Sequence, residues 1–281
     1  MPKSHMAAPE CRLEKVDGKT LNVAHWRYTG PENGKLPILF FNGIGANTEV
    51  VAPLPDMLGD RDFITFDMPG IGDSPDPVIP YTPIWMARIA ALILDRYEME
   101  AVDVMGVSWG GGLAQQFALQ HPERTYRLIL VATTAGMVMV PGKWEALSKM
   151  ADPRRYIDPK FMETHFETLY GDRRKDSQGH TLRIKPPSKR GYFYQLLAMA
   201  GWTSAPFLPF LKAPTLVMTG DRDPIVRPIN GQILHTLIPD SQLEIIPDGG
   251  HLFMLSHAEE FVAHVRRFLD AEASEKAAQA A

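Results

Sequence analysis

Along the first half of the chain, short and nearly uninterrupted apolar runs alternate with longer stretches whose apolar residues recur every three or four positions. The runs at residues 37–41, 63–66, 102–105 and 128–131 are of the first kind, and 215–218 and 243–246 resume the pattern towards the C-terminus. A strand that is apolar on both faces is buried on both faces, which is the condition of a parallel sheet covered by helices. The intervening stretches at 84–97, 113–119 and 261–269 carry helical spacing and supply the crossovers that parallel strands need. The pattern therefore predicts an α/β class: a mostly parallel central sheet flanked by helices.

After Thr133-Thr134 the alternation stops. Residues 135–207 are rich in Met, aromatic and basic side chains and contain no convincing strand, so they are expected to form a mainly helical insertion. Its helices are predicted at 143–150, 159–170 and 189–200, with the glycine-, proline- and charge-rich residues 171–188 as a loop. The expected organisation is a core built from 1–134 and 208–281, interrupted by a helical lid at 135–207. The Ala-rich residues 271–281 are expected to fray.

Composition narrows the partners. With 45% hydrophobic and 22% charged residues the 281-residue chain is an ordinary folded protein, and its formal charge of -4 argues against nucleic acid or anionic lipid as a partner. The densest basic run, Arg173-Arg174-Lys175, ends at once in Asp176 and reads as a solvated loop. Cys11 is the only cysteine, which rules out an internal disulfide and a cysteine-held zinc and suits a reducing cytoplasm. The first residues lack the apolar stretch of a secretory signal, and no run of about 18 apolar residues suggests a transmembrane segment. A cytoplasmic location is the expectation; oligomeric state is left open.

Candidate chemistry centres on Met105-Gly106-Val107-Ser108-Trp109-Gly110-Gly111, a Gly-x-Ser-x-Gly pattern between a predicted strand and a predicted helix. Small residues two before and two after the serine are what a sharp strand-to-helix turn requires, and the helix start brings unpaired amides and a positive dipole end to Ser108. A serine needs a base, and His251 in Asp248-Gly249-Gly250-His251 follows a strand on a glycine loop. His121, before Pro122, is expected to cap a helix, and the other histidines to lie on the surface or in packing. Thr219-Gly220-Asp221-Arg222-Asp223-Pro224 offers the orienting acid; Asp223 is the choice, with Asp221 expected to fix the turn by bonding nearby amides. The order Ser, Asp, His is that of the α/β-hydrolase fold. In Asn42-Gly43-Ile44-Gly45-Ala46-Asn47 the amide of Ile44 is the candidate partner of the Trp109 amide in an oxyanion hole. Asp67-Met68-Pro69-Gly70-Ile71-Gly72-Asp73-Ser74 reads as a structural turn, since it lacks a P-loop lysine.

Several segments carry a closer resemblance: Phe40-Phe41-Asn42-Gly43-Ile44-Gly45-Ala46-Asn47, Gly106-Val107-Ser108-Trp109-Gly110-Gly111, Met137-Val138-Met139-Val140-Pro141-Gly142-Lys143, Pro153-Arg154-Arg155-Tyr156, Gly201-Trp202-Thr203-Ser204 and Asp248-Gly249-Gly250-His251-Leu252-Phe253. In these the chain resembles the intracellular depolymerases of medium-chain-length poly(3-hydroxyalkanoate). The resemblance implies hydrolysis of a storage polyester or its oligomers to 3-hydroxyacids through an acyl-enzyme, with no metal or organic cofactor, and leaves room for association with storage granules. Asn42, Met137, Met139, Trp202 and Phe253 are the candidate substrate-binding residues. The alternatives are a small-ester carboxylesterase or lipase, a carbon–carbon bond hydrolase of the same fold, and a granule-coat or ligand-binding protein without catalysis.

Overall fold

The computed structural model describes residues 5–150, 152, 154–172, 183 and 185–279. The basic run at 173–175 and most of the loop expected at 171–188 lie outside the described residues. Eight strands form one sheet: β1 (Glu10–Val16), β2 (Lys19–Trp26), β3 (Ile38–Phe41), β4 (Phe63–Phe66), β5 (Val102–Val107), β6 (Thr125–Val131), β7 (Thr215–Gly220) and β8 (Ser241–Ile246). Their order is β1-β2-β4-β3-β5-β6-β7-β8, antiparallel at β1/β2 and β2/β4 and parallel from β4 onwards.

The six expected strands are the parallel ones. β3, β4, β5 and β7 are buried along their whole length, as continuous apolar runs demand. One face of the sheet carries the helices Pro83–Arg96 and Trp109–Gln120, packed through Ile89, Ile93, Leu113 and Phe117. The other carries Pro53–Leu58 and Ala258–Gln279, packed through Leu54, Leu58, Phe261 and Val265. This last helix extends through the stretch expected to fray, because Ala, Glu, Lys and Gln are strong helix formers.

The sequence pattern misses β1 and β2. β1 is an edge strand exposed over most of its length, so it has no buried periodicity to read. The available signal was the turn: Asp17 and Gly18 stand at φ 46° and 75°, the two left-handed positions of a two-residue hairpin loop.

Among the described residues between β6 and β7 the α-helices are Trp144–Met150, Arg154–Ile157, Pro159–Tyr170 and Lys189–Met199, of which the single turn at Arg154–Ile157 was not anticipated. Ala146, Met162, Phe166, Leu169 and Tyr170 form a small core with Ile225, Val226 and Leu252, which belong to the loops after β7 and β8. The turn at 67–74 is structural. The Asp67 carboxylate accepts from Asn22 Nδ2 at 2.9 Å and from the amides of Thr48 and Asp73 at 2.7 and 3.0 Å.

Buried carboxyls give the fold a pH dependence. At the end of the sheet where the parallel strands begin, Arg61 bonds Asp103 at 3.2 Å, Asp60 at 3.0 Å and Asp270 at 2.9 Å. Burial pushes the Asp103 carboxyl up to about 7 against the opposing charges of Arg61 and Arg127, and burial pushes Asp67 up to about 6. Unfolded aspartates titrate near ~3.9, so the folded chain binds these protons more tightly; their stabilising contribution is complete below about pH 4 and is lost as pH rises through about 6 to 7. The melting midpoint is expected to decline between pH 5 and 8, and Asp103→Asn to flatten that slope, both read from calorimetric melts across a pH series.

Candidate active site

β5 ends at Val107 and the helix Trp109–Gln120 begins immediately, leaving Ser108 as the corner at φ 55°, ψ -121°. A side chain in this region costs about 1–3 kcal/mol and persists only where its surroundings impose it. Here the Ser108 amide donates to Val131 at 2.8 Å, and the Ser108 carbonyl accepts from Thr133 Oγ1 at 2.7 Å and from the Gly111 amide at 2.9 Å. The flanking glycines are a steric necessity. A Cβ on Gly106 would lie 2.4 Å from the Gly110 carbonyl oxygen, and one on Gly110 would lie 2.2 Å from that of Phe41.

The loops following β7 and β8 deliver two buried side chains to this corner. His251 Nε2 lies 3.1 Å from Ser108 Oγ, and His251 Nδ1 lies 2.7 Å from Asp223 Oδ2. Asp223 Oδ1 accepts from the amides of Ile225 and Val226 at 2.8 and 2.9 Å. The turn amides expected for Asp221 are thus held by Asp223 itself, while Asp221 is exposed. One carboxylate both closes its own turn and faces the imidazole.

The loop after β3 crosses above Ser108, so close that a Cβ on Gly43 would be 3.8 Å from Ser108 Cβ. Asn42 braces it from within, accepting from the Gly43 amide at 3.0 Å and donating to the Asn47 carbonyl at 2.9 Å. Ile44 and Asn42 line the cleft beside Ser108 and His251. Trp109 begins the helix, and its indole Nε1 donates to the Gln195 carbonyl at 3.0 Å.

Four of the expected substrate contacts lie elsewhere. Phe253 is fully buried, set edge-to-face on Phe261 with ring centroids 6.0 Å apart, and anchors the core beneath the histidine loop. Trp202 donates its indole N–H to Gln116 Oε1 at 2.9 Å and packs over Gly112, bracing the helix that follows Ser108. Met137 is 65% exposed and Met139 half-buried, and neither lines the cleft. Helical or loop spacing identifies apolar residues but not the face they will occupy.

The cleft walls instead include Val50, Val51, Met150, Arg155, Tyr170 and Leu255, around a space of about 80 Å³ that opens to solvent. Tyr170 stacks on the His251 ring at an interplanar angle of 15° with centroids 6.4 Å apart, and burial holds its phenol above the ordinary value, hence neutral. Asp172 escaped sequence reasoning altogether. Its buried carboxylate accepts from the amides of Gly250 at 3.0 Å and Leu252 at 2.7 Å and from Ser256 Oγ at 2.6 Å, while the Tyr170 carbonyl accepts from the His251 amide. An aspartate just past the Gly171 cap of a helix is too common a pattern to signal this role.

The arrangement can remove a proton from a hydroxyl nucleophile into a low-dielectric pocket and return it to a leaving group. Among the described residues no cluster of His, Cys, Asp and Glu side chains has the arrangement of a metal site, and no helix is long and apolar enough to cross a membrane.

Known proteins place the chain independently. Residues 38–264 match the model of the alpha/beta hydrolase family. A poly(3-hydroxyalkanoate) depolymerase from Ectopseudomonas oleovorans is 45% identical over 241 residues, covering 84% of this chain and 85% of that protein. A 2-hydroxymuconate semialdehyde hydrolase from Pseudomonas putida is 29% identical over 281 residues, covering 90% and 94%. Among solved structures, an esterase from Exiguobacterium antarcticum superposes with a TM-score of 0.76 at 22% identity over 94% of this chain and 99% of that one, a likeness of fold. The chain belongs to the alpha/beta hydrolase family, with a poly(3-hydroxyalkanoate) depolymerase among its relatives.

Proposed function

We propose that the chain is a serine-dependent carboxylic ester hydrolase whose substrate is medium-chain-length poly(3-hydroxyalkanoate) or its oligomers. The observation that carries the reading is the connected line from Ser108 Oγ to His251 at 3.1 Å and on to Asp223 at 2.7 Å, at the carboxyl ends of parallel strands. His251 takes the Ser108 proton as Oγ adds to the ester carbonyl. The oxyanion sits against the amides of Ile44 and Trp109. Collapse of the tetrahedral species expels the alcohol, protonated by His251, and leaves an acyl-Ser108; water, deprotonated by His251, then releases the 3-hydroxyacid.

The polyester assignment draws on the 45% identical relative. It is also supported by the exposed apolar side chains Met137, Val138, Phe193, Phe207 and Phe210, which suit contact with a hydrophobic granule. The insertion at 135–207 acts as the lid, since Met150, Arg155 and Tyr170, all from it, form one wall of the cleft beside Ser108 and His251.

The test is release of 3-hydroxyacids from amorphous medium-chain polyester by the wild type and by Ser108→Ala, with nitrophenyl esters alongside. Acid release abolished in the variant supports the reading. Cleavage of nitrophenyl esters without release from polymer would reduce it to a small-ester hydrolase. A second reading, a carbon–carbon bond hydrolase of the same fold, would be established by turnover of 2-hydroxymuconate semialdehyde, the substrate named for the 29% identical relative, in place of any ester.

Asp172 carries a prediction of its own. Asp172→Ala leaves two amides and a hydroxyl without their acceptor, each loss costing about 1–3 kcal/mol when buried. A fall in melting midpoint is expected together with a fall of about 100-fold in kcat, because the loop carrying the base is released. Asp172→Asn, which keeps one acceptor oxygen, is expected to fall between the two in both melts and ester kinetics.

A further inference from the structure

One residue of the insertion touches both segments assigned to the oxyanion hole. Gln195, on the helix Lys189–Met199, is fully buried. Its Oε1 accepts from the Gly45 amide at 2.8 Å, one residue beyond Ile44. Its backbone carbonyl accepts from the Trp109 indole at 3.0 Å, on the residue that follows Ser108.

The same side chain is poorly satisfied. Gln195 Nε2 is buried and has no hydrogen-bond partner among the described residues. Turning the amide over would set Nε2 against the Gly45 N–H, donor to donor, and relieve nothing. An apolar side chain of equal length would spare the fold this unpaired donor but leave the buried Gly45 N–H without its acceptor, an even exchange that gives stability little reason to prefer a glutamine here.

We propose that Gln195 is a positioning residue: it fixes the Ile44–Gly45 peptide and the Trp109 side chain relative to each other, and so sets the spacing of the two amides that receive the oxyanion. The assignment rests on the serine hydrolase reading above. The physical basis is preorganisation, since a donor stabilises developing charge only if its dipole is already aimed when the charge appears. A loop of the composition Gly43-Ile44-Gly45 has little side-chain packing of its own to hold that aim.

Gln195→Met preserves length and removes the acceptor. Its kcat on a nitrophenyl ester is expected to fall about 10- to 100-fold with KM within about two-fold, short of the loss that accompanies complete removal of a donor. Affinity for an alkylboronic acid, which becomes tetrahedral on a serine and places an oxygen in the hole, is expected to fall by the same factor. The melting midpoint is expected to change little, since one buried unpaired N–H is exchanged for another. Unchanged kcat and boronate affinity overturn the proposal, as does a rise in KM that accounts for the whole loss. Should Gln195→Met fail to fold, Trp109→Phe cuts the other tie alone; a kcat loss at constant KM supports the proposal, and wild-type kinetics overturn it. Labelling of the wild type by a fluorophosphonate separates the two levels: no label on folded protein brings down the hydrolase reading and this one with it, whereas a labelled Ser108 with indifferent Gln195 variants overturns this one only.

Discussion

Ser108→Ala is expected to lower kcat by about 10^6-fold, and the double variant Ser108→Ala/His251→Ala to be scarcely worse than either single change, because the two side chains act as one unit. With Oγ gone there is no acyl-enzyme, and His251 is left 3.1 Å from an empty position with nothing to deprotonate but water. What survives is the contribution of binding and of the oxyanion amides. Pre-steady-state kinetics on a nitrophenyl ester decide the matter: the wild type should show a burst of phenolate equal to the enzyme concentration and the variants none. Additive losses in the double variant would mean that serine and histidine serve separate steps.

Asp223→Asn is expected to cost about 10^4-fold in kcat while leaving the melting midpoint nearly unchanged. The reason lies in the division of labour between the two carboxylate oxygens. Oδ1 holds the amides of Ile225 and Val226, so an asparagine must keep its carbonyl oxygen on that side. Its NH2 then faces His251 Nδ1, which must accept. That moves the imidazole proton to Nε2, and a protonated Nε2 cannot take the proton of Ser108. The turn survives and the base does not. Ester kinetics combined with NMR of the imidazole nitrogens would check both halves; an unshifted tautomer with lost activity would sink the explanation.

The placement of the candidate site residues was more legible in the sequence than the cavity around them. Gly106 and Gly110 announce the corner because backbones meet there at distances that forbid a side chain, a constraint local enough to be written in five residues. Asp223 and His251 could be found because strand ends in a parallel sheet converge on one edge, so position along the pattern stands in for position in space. Phe253 and Trp202 show the limit of that substitution. Both stand beside motif residues in the chain, yet one is drawn into the core by Phe261 and the other onto Gln116. The walls contributed by Val50, Met150 and Tyr170 come from three distant segments, and no spacing rule joins them. β1 shows a further limit, for an exposed edge strand has no hydrophobic rhythm, and only its Asp17-Gly18 turn betrays it.

The clasp between the end of the helix Pro159–Tyr170 and the loop bearing His251 bears on how such an enzyme can diversify. A specificity segment that merely sat on its scaffold could be traded by recombination between relatives, each donor bringing new substrates to an intact machine. Here the segment itself supplies the Tyr170 carbonyl and both oxygens of Asp172 to hold the loop of His251 in place. A graft whose backbone departed from that path by one residue would import a new pocket and silence the recipient at the same stroke. Descent with new specificities is thereby steered towards point changes on the inward wall, and the short span from 170 to 172 becomes the part of the insertion least open to exchange.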